Sequence, residues 1–335
     1  MWHVGIDLHR ETIVMAAVND AGEVMNPLQL RCQDTTEIVR VFKLLGTFRA
    51  VIEASGTYRW LYDLLRPYGT VLLAHPLRLR AMIQRRTKTD KLDAQLLANL
   101  LRINQIPLAY IPPEPYQQLR DLTRARARLV RDQAQVKIKL RALLARQNRQ
   151  APYRVPFGVR GVAWFRKQDF GPMENLVRDE LLARLEHYRR HLTILEEHVQ
   201  AVQQAFPQVE ILLEIHGIGL FTALLIVAEL GEVERFRTAK QVGAYAGLTA
   251  RVHQSGGHCY RGSITRQGSP WLRWILVEAA MKVVREDVAL KNFYTRVRKR
   301  SSAKIARVAT ARKLAEICWK RLRRWQQERR QPAAA

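Results

Sequence analysis

Cysteine is scarce: Cys32, Cys259 and Cys318 are the whole supply in 335 residues. An odd count at wide spacing excludes a disulfide framework, gives no zinc pattern and fits a reducing cytoplasm. Long apolar runs are missing too. The longest stretch, Phe221 to Ala228, falls far short of the roughly 20 residues that a membrane span needs. The opening Met-Trp-His-Val-Gly-Ile-Asp lacks a basic lead and reaches an acid too early for a signal peptide. No internal repeat of about 20–50 residues recurs. The most telling shortage is negative charge. Asp plus Glu is 30 against 56 Lys plus Arg, a net +26. Such a chain attracts polyanions, so nucleic acid is the expected partner and an anionic membrane surface the alternative.

What is present is enough for a core. Hydrophobic residues make up 47%, which excludes global disorder. The length exceeds one ordinary core, so two or three domains are expected. Up to about residue 105, strand-like and helix-like patterns alternate. Val4–Leu8, Ile13–Val18 and Val24–Leu30 read as a meander with a turn at Asn19-Asp20-Ala21-Gly22. Ala50–Ala54 and Val71–Ala74 read as later strands, the second stopped by Pro76. Helices are expected after Thr36, over Tyr58–Leu65 and from Asp90 to Arg102. This order argues for a mixed α/β sheet with helices on its faces.

Beyond residue 115 the pattern becomes helical. Leu119, Leu122, Leu129, Val136, Leu140 and Leu143 form one heptad seam, and Leu181 through Phe206 carry a second. Two such helices pair antiparallel within a chain or with another subunit, and a role in oligomerisation is expected. Ile211–Ile215, the glycine hairpin Gly217-Ile218-Gly219 and Phe221–Leu230 read as helix, tight turn, helix. A Gly- and Ser-rich loop spans Gln254 to Ser269, and Ser269-Pro270 reads as a helix start. The tail from Arg296 to Arg330 holds 14 Lys or Arg against Glu316 and Glu328.

Four acids stand out in this basic chain: Asp7 and Glu53 in strand-like runs, and Asp90 and Asp93 at the start of a helix. Asp90 and Asp93, three apart, share a helix face. Mg²⁺ takes hard oxygen ligands, few of them from protein. One or two such ions can stabilise the attacking and leaving oxygens of a phosphodiester displacement. Singly, each acid is compatible with a strand edge, an Arg partner or a helix cap; as an ordered set they point to a metal site.

Basic residues crowd the same region. Arg85, Arg86, Lys88 and Lys91 precede or enter the Asp90 helix, where they would hold a nucleic-acid backbone. Arg124, Arg128 and Arg131 lie on the first seam helix, where a solvated face and a phosphate-tracking face are both open readings. Gly217 and Gly219 are either a plain turn or backbone-amide donors to a phosphate. In the serine loop, Gln254-Ser255-Gly256-Gly257 allows close backbone approach to a phosphate, with Arg261, Arg266 and Arg273 near enough in sequence to neutralise it. By composition such a tripeptide is more often a turn than a nucleophile. His187 and His191 lack the Glu of a zinc-protease motif, and His253, His258 and Cys259 lack a fourth ligand.

Taken together, Gly5-Ile6-Asp7, Glu53-Ala54-Ser55-Gly56-Thr57-Tyr58 and Lys88-Thr89-Asp90-Lys91-Leu92-Asp93-Ala94 resemble the DEDD motifs of the insertion-sequence one-ten transposases. Ile215-His216-Gly217-Ile218-Gly219, Ala244-Tyr245-Ala246-Gly247-Leu248-Thr249, Ser255-Gly256 and Gly268-Ser269-Pro270-Trp271-Leu272-Arg273 resemble their C-terminal domain. The resemblance covers nearly the whole chain; Ala250 stands where the family often has Pro. It implies an RNase H/RuvC-like domain over residues 1–110, a coiled-coil connector over 111–207 and a helical transposase domain over 208–330. It implies Mg²⁺-dependent DNA strand cleavage and exchange, with metal on Asp7, Glu53, Asp90 and Asp93 and a covalent phosphoserine on Ser255. Ser263 and Ser269 are the alternatives for the nucleophile, and the site draws on two domains of one subunit or two. The implied partners are element and target DNA, a structured element-encoded guide RNA, and further copies of the chain as a homodimer or homotetramer. The implied setting is a bacterial or archaeal cytoplasm, at the nucleoid and away from membranes. The rival reading is a metal-dependent RuvC-like nuclease acting on branched nucleic acid, with Ser255 structural.

Overall fold

The computed structural model describes residues 1–82, 89–255 and 258–330, without the side chains of His253, Ser255, Cys259 and Arg261. The chain divides into two compact units, Met1–Ile111 and Pro112–Ala335.

The first unit runs β1 (Trp2–Leu8), β2 (Thr12–Asn19), β3 (Val24–Arg31), α1 (Thr35–Leu44), β4 (Phe48–Glu53), α2 (Arg59–Leu65), β5 (Thr70–Ala74), α3 (Pro76–Met82) and α4 (Asp90–Arg102). The five strands form one sheet in the order β3-β2-β1-β4-β5. β1–β2 and β2–β3 are antiparallel, whereas β1–β4 and β4–β5 are parallel. The expected meander is the antiparallel half. Gly22 takes the left-handed conformation (φ +91°) that its turn requires. Pro76 ends the strand, as expected, but also opens a helix that the sequence did not suggest. Its fixed φ and missing N–H suit a first helical position.

Side-chain alternation gives the sheet two buried faces. Val4 and Ile6 of β1 and Ala50 and Ile52 of β4 join Ile38 and Phe42 of α1 and Leu61 and Leu65 of α2 in one core cluster. On the opposite face Val51 packs with Leu97 and Leu101 of α4, and Val14 and Ala16 pack with Ala94. α4 therefore lies across the face to which Gly5, Val51 and, by the same alternation, Asp7 and Glu53 belong.

The second unit runs α5 (Glu114–Arg146), α6 (Val159–Arg166), α7 (Pro172–Val202), α8 (Val209–Leu213), α9 (Leu220–Leu230), α10 (Ala239–Tyr245), β6 (Ala250–Ser255), β7 (His258–Ile264), α11 (Pro270–Glu286), α12 (Val288–Arg300) and α13 (Ala303–Arg330). The two heptad seams pair with each other, antiparallel. Val136, Leu140 and Leu143 near the end of α5 pack with Leu181 and Leu185 near the start of α7. At the other end Leu119 and Val199 enter a larger core with α9, α11 and α13. Arg126 closes the pair on Glu196 at 2.8 Å. The seams thus have a partner inside the chain.

The Gly- and Ser-rich stretch differs from expectation. It contains an antiparallel hairpin, with Gln254 opposite Cys259 and Ser255 opposite His258. Glycine and serine mask the strand signal there, which rests on Val252, Tyr260 and Ile264. Gly256 and Gly257 lie outside the described residues.

Candidate metal centre

Two of the acids owe their positions to neighbouring strands and two to a close helix. Asp7 is the second-last residue of β1, opposite Val14 of β2. The parallel register pairs Ile6 with Ile52, so Glu53 sits one step on, beside Asp7. α4 approaches β1 closely because residue 5 is glycine: a Cβ there would fall 2.0 Å from the Ala94 carbonyl oxygen and 2.5 Å from the Ala98 nitrogen. Thr89 caps α4, its hydroxyl accepting from the Leu92 amide at 3.3 Å. Asp90 is therefore not the cap. Its carboxylate is free of that task and occupies the first turn, where the helix dipole favours negative charge.

These placements bring Asp7 and Asp90 to one point. The Nε2 of His9 lies 3.2 Å from Asp7 Oδ2 and 3.2 Å from Asp90 Oδ2. One ligand atom from each of the three residues falls within 4.8 Å of the others. Asp7 is largely covered, at 18% side-chain exposure, while His9 and Asp90 open to solvent at 45% and 53%. A pocket with one anchored and two accessible ligands lets a metal ion keep waters and a substrate oxygen. Asp93 follows one helical turn after Asp90, and Glu53 ends the adjacent strand; both are half-buried. Neither belongs to the close trio. His9 is the residue that sequence reasoning missed: it lies two places after Asp7, just past the end of the strand.

Lys91 is exposed on α4, whereas Arg85, Arg86 and Lys88 lie outside the described residues. In the second unit, Arg124 does not face solvent phosphate. Its Nε and Nη2 donate to the two oxygens of Glu229 at 2.7 and 3.0 Å. Arg128 stacks over Trp271 at 5.6 Å. Arg131 stays exposed, 3.8 Å from Asp132. Gly217 has φ +91°, and a Cβ there would meet the Val283 amide nitrogen at 2.9 Å, so close packing on α11 accounts for this glycine. Gly219 caps α9 with open space around it. Arg273 donates to the Ala246 carbonyl at 3.1 Å, and its guanidinium is pushed down from its ordinary range by burial and by Arg266. Arg266 is exposed. Ser255 ends β6 and Arg261 lies in β7, but their side chains are outside the described residues.

Glu229, inside the helix expected over Phe221–Leu230, is a second residue that sequence reasoning passed over. It is fully buried and also accepts from the Ser269 hydroxyl at 2.8 Å. That hydroxyl accepts in turn from the Leu272 amide at 3.1 Å, so Ser269 is a structural cap rather than a poised nucleophile. Arg120 donates to the Ala228 and Glu229 carbonyls at 2.7 and 2.8 Å. The network ties α5 to α9 and to the start of α11. Glu229→Ala strands the Arg124 charge and the Ser269 donor. We expect a loss of about 3 kcal/mol, the lower end for a broken buried pair because Arg124 is partly exposed. Urea unfolding of the full chain measures it, and Glu229→Gln should lose clearly less.

A five-stranded mixed sheet with a carboxylate near the end of its central strand, met by a second carboxylate from a covering helix, defines a RuvC-like domain. Comparison with known proteins extends this. A family model described as "Transposase", the DEDD type of IS110, matches residues 4–148. A second, described as "Transposase IS116/IS110/IS902 family", matches residues 209–295. A probable family 20 transposase of Pseudomonas aeruginosa is 28% identical over 96% of each chain. The transposase for insertion sequence element IS1111A of Coxiella burnetii is 24% identical over 96% of this chain and 89% of its own. A pilin gene-inverting protein of Moraxella bovis is 27% identical over 71% of this chain and 68% of its own. The chain belongs to the IS110 family of insertion-sequence transposases, enzymes that act on DNA.

Proposed function

We infer that the chain cuts and exchanges DNA strands by Mg²⁺-dependent chemistry that passes through a phosphoserine on Ser255. The observation that carries this reading is the meeting of Asp7 and Asp90, from a strand and a helix far apart in sequence, around one imidazole nitrogen. The donor set fits a divalent cation: two carboxylates and an imidazole nitrogen, with Glu53 and Asp93 completing the acidic set. A bound cation supplies charge stabilisation at the phosphodiester. The chain's own residues do the rest. The acids hold their negative oxygens at the open end of the sheet. Lys91, with Arg85, Arg86 and Lys88, positions the backbone, as do the exposed Arg131 and Arg266. The Ser255 oxygen bonds to phosphorus and the P–O3′ bond breaks. The departing 3′ oxygen takes a proton, and the 5′ phosphate stays on the serine until another 3′ hydroxyl displaces it.

In this reading residues 1–110 form the metal-binding domain, 111–207 the coiled-coil connector and 208–330 the serine domain. The net charge of +26 has capacity for DNA and a structured guide RNA together. Assembly as a dimer or tetramer and action at the nucleoid of a bacterial or archaeal cytoplasm complete the proposal. No helix among the described residues is long and apolar enough to cross a membrane. The test is suicide DNA that traps a covalent intermediate. Wild-type protein should form a stable adduct and Ser255→Ala none. An adduct with Ser255→Ala removes the serine assignment. Metal-dependent cleavage without any adduct favours the hydrolytic nuclease instead. Sequencing nucleic acid that copurifies with the protein tests the RNA partner.

A further inference from the structure

We propose that His9 is a nitrogen ligand of the metal centre and that it makes the site prefer Mn²⁺ to Mg²⁺. The proposal rests on the reading of Asp7 and Asp90 as ligands and adds to it the identity of the ion. His9 follows the last residue of β1, and its main chain is pinned on two sides. Its amide donates to the Thr12 carbonyl at 2.9 Å. Its carbonyl accepts from the Cys32 thiol at 3.6 Å, and the Cys32 amide donates to the Glu11 carbonyl at 2.8 Å. The ring is therefore carried by a turn fastened to the start of β2 and to the residue after β3. From there Nε2 stands 3.2 Å from Asp7 Oδ2 and 3.2 Å from Asp90 Oδ2.

An ion pair is the plainer explanation, and it accounts for less. One Nε2–H points well at a single acceptor, whereas this nitrogen is equidistant from acids on two elements. At 45% exposure a paired imidazole gains little from either. Coordination uses both spacings. Two ligands at right angles on an ion with bonds of about 2.1 Å stand about 3.0 Å apart, close to the two distances seen. The nitrogen then decides which ion is held best. Mg²⁺ takes oxygen ligands and gains little from an imidazole. Mn²⁺ takes carboxylate and water oxygens as Mg²⁺ does, and as a first-row transition ion it also gains from nitrogen. Zn²⁺ and Cu²⁺ sites are usually built from more nitrogen or sulfur than one imidazole supplies. Two carboxylates, one imidazole and an open side for water therefore fit Mn²⁺ best.

The test uses the full-length protein, stripped with EDTA and dialysed, then loaded with Mn²⁺ alone or Mg²⁺ alone and with no nucleic acid present. The pulsed EPR spectrum of bound Mn²⁺ should carry an imidazole nitrogen coupling in wild type. His9→Gln, which keeps a polar side chain without the ring, should lose it. Mn²⁺ affinity should fall at least about tenfold in that variant, since even partners behind the ligands typically cost about 10–100-fold. Mg²⁺ affinity should change little. Growth on ¹⁵N-histidine should change the wild-type coupling, which identifies the ligand type even where the variant folds poorly. Mn²⁺ bound without a nitrogen coupling, or equal losses for both ions in His9→Gln, overturns the role of His9 and leaves the acids as ligands. Asp7→Asn is the comparison and should lose both ions. If neither ion binds wild type, the metal reading and the His9 proposal fall together.

Discussion

Asp7→Asn should abolish metal-dependent strand cleavage while leaving the fold intact. The side chain keeps its shape, so the register of β1 against β2 and β4 is undisturbed. What changes is charge. Asp7 is the most covered member of the trio with His9 and Asp90, and an amide oxygen there binds a divalent cation far less well than a carboxylate. Removing one preorganised charge-stabilising group typically costs about 10²–10³-fold in turnover, and a lost metal ligand should reach or exceed that range.

Two measurements separate this from a folding defect. In EDTA the variant should melt near the wild-type temperature, since relief of the repulsion between Asp7 and Asp90 offsets the weakened contact to His9. On adding Mg²⁺, wild type should be stabilised by mass action, by about 2.7 kcal/mol at a metal concentration a hundredfold above Kd. The variant should gain little. Full cleavage by Asp7→Asn, or an equal gain from Mg²⁺ in both proteins, would end the metal assignment.

The grouping of acids at the candidate site was legible in part for a physical reason. Asp7 lies within one short apolar run and Glu53 ends another, and a strand's two-residue period then fixes which face each belongs to. The pair Asp90 and Asp93 shares a face by helical period. His9 was not legible: it lies past the last paired residue, where neither period applies, and only its distance to two carboxylates singles it out. Glu229 was hidden in the same way inside an all-apolar helix, because its partners Arg124 and Ser269 lie far off in sequence. The two seams showed that α5 and α7 need a partner, but periodicity does not say whose. The hairpin of β6 and β7 was lost because glycine and serine outweigh the few residues that carry its strand signal.

Gly5→Ala tests the packing on which the centre depends. The added methyl would fall 2.0 Å from the Ala94 carbonyl oxygen, 2.5 Å from the Ala98 nitrogen and 2.7 Å from the Leu97 Cβ. Two of these neighbours are backbone, so no side chain can swing aside. α4 must move off β1 by about an ångström, and a misplacement of that size at a reacting centre can cost about 10²-fold. The helix carries Asp90 and Asp93 with it, whereas Asp7 stays on the strand. Overpacking of a filled core costs about 1–3 kcal/mol, and the backbone clash argues for the upper end. In a unit of this size each kcal/mol lowers the melting temperature by about 4–8 °C. Gly56→Ala is the comparison for stability, since nothing lies within 4 Å of that position; it should melt as wild type does. Gly5→Ala should melt lower, cleave more slowly and show weaker Mg²⁺ stabilisation together, since a single displacement of α4 lies behind all three. If it matches wild type in all three, α4 does not rest on β1 closely enough to bring Asp90 to Asp7.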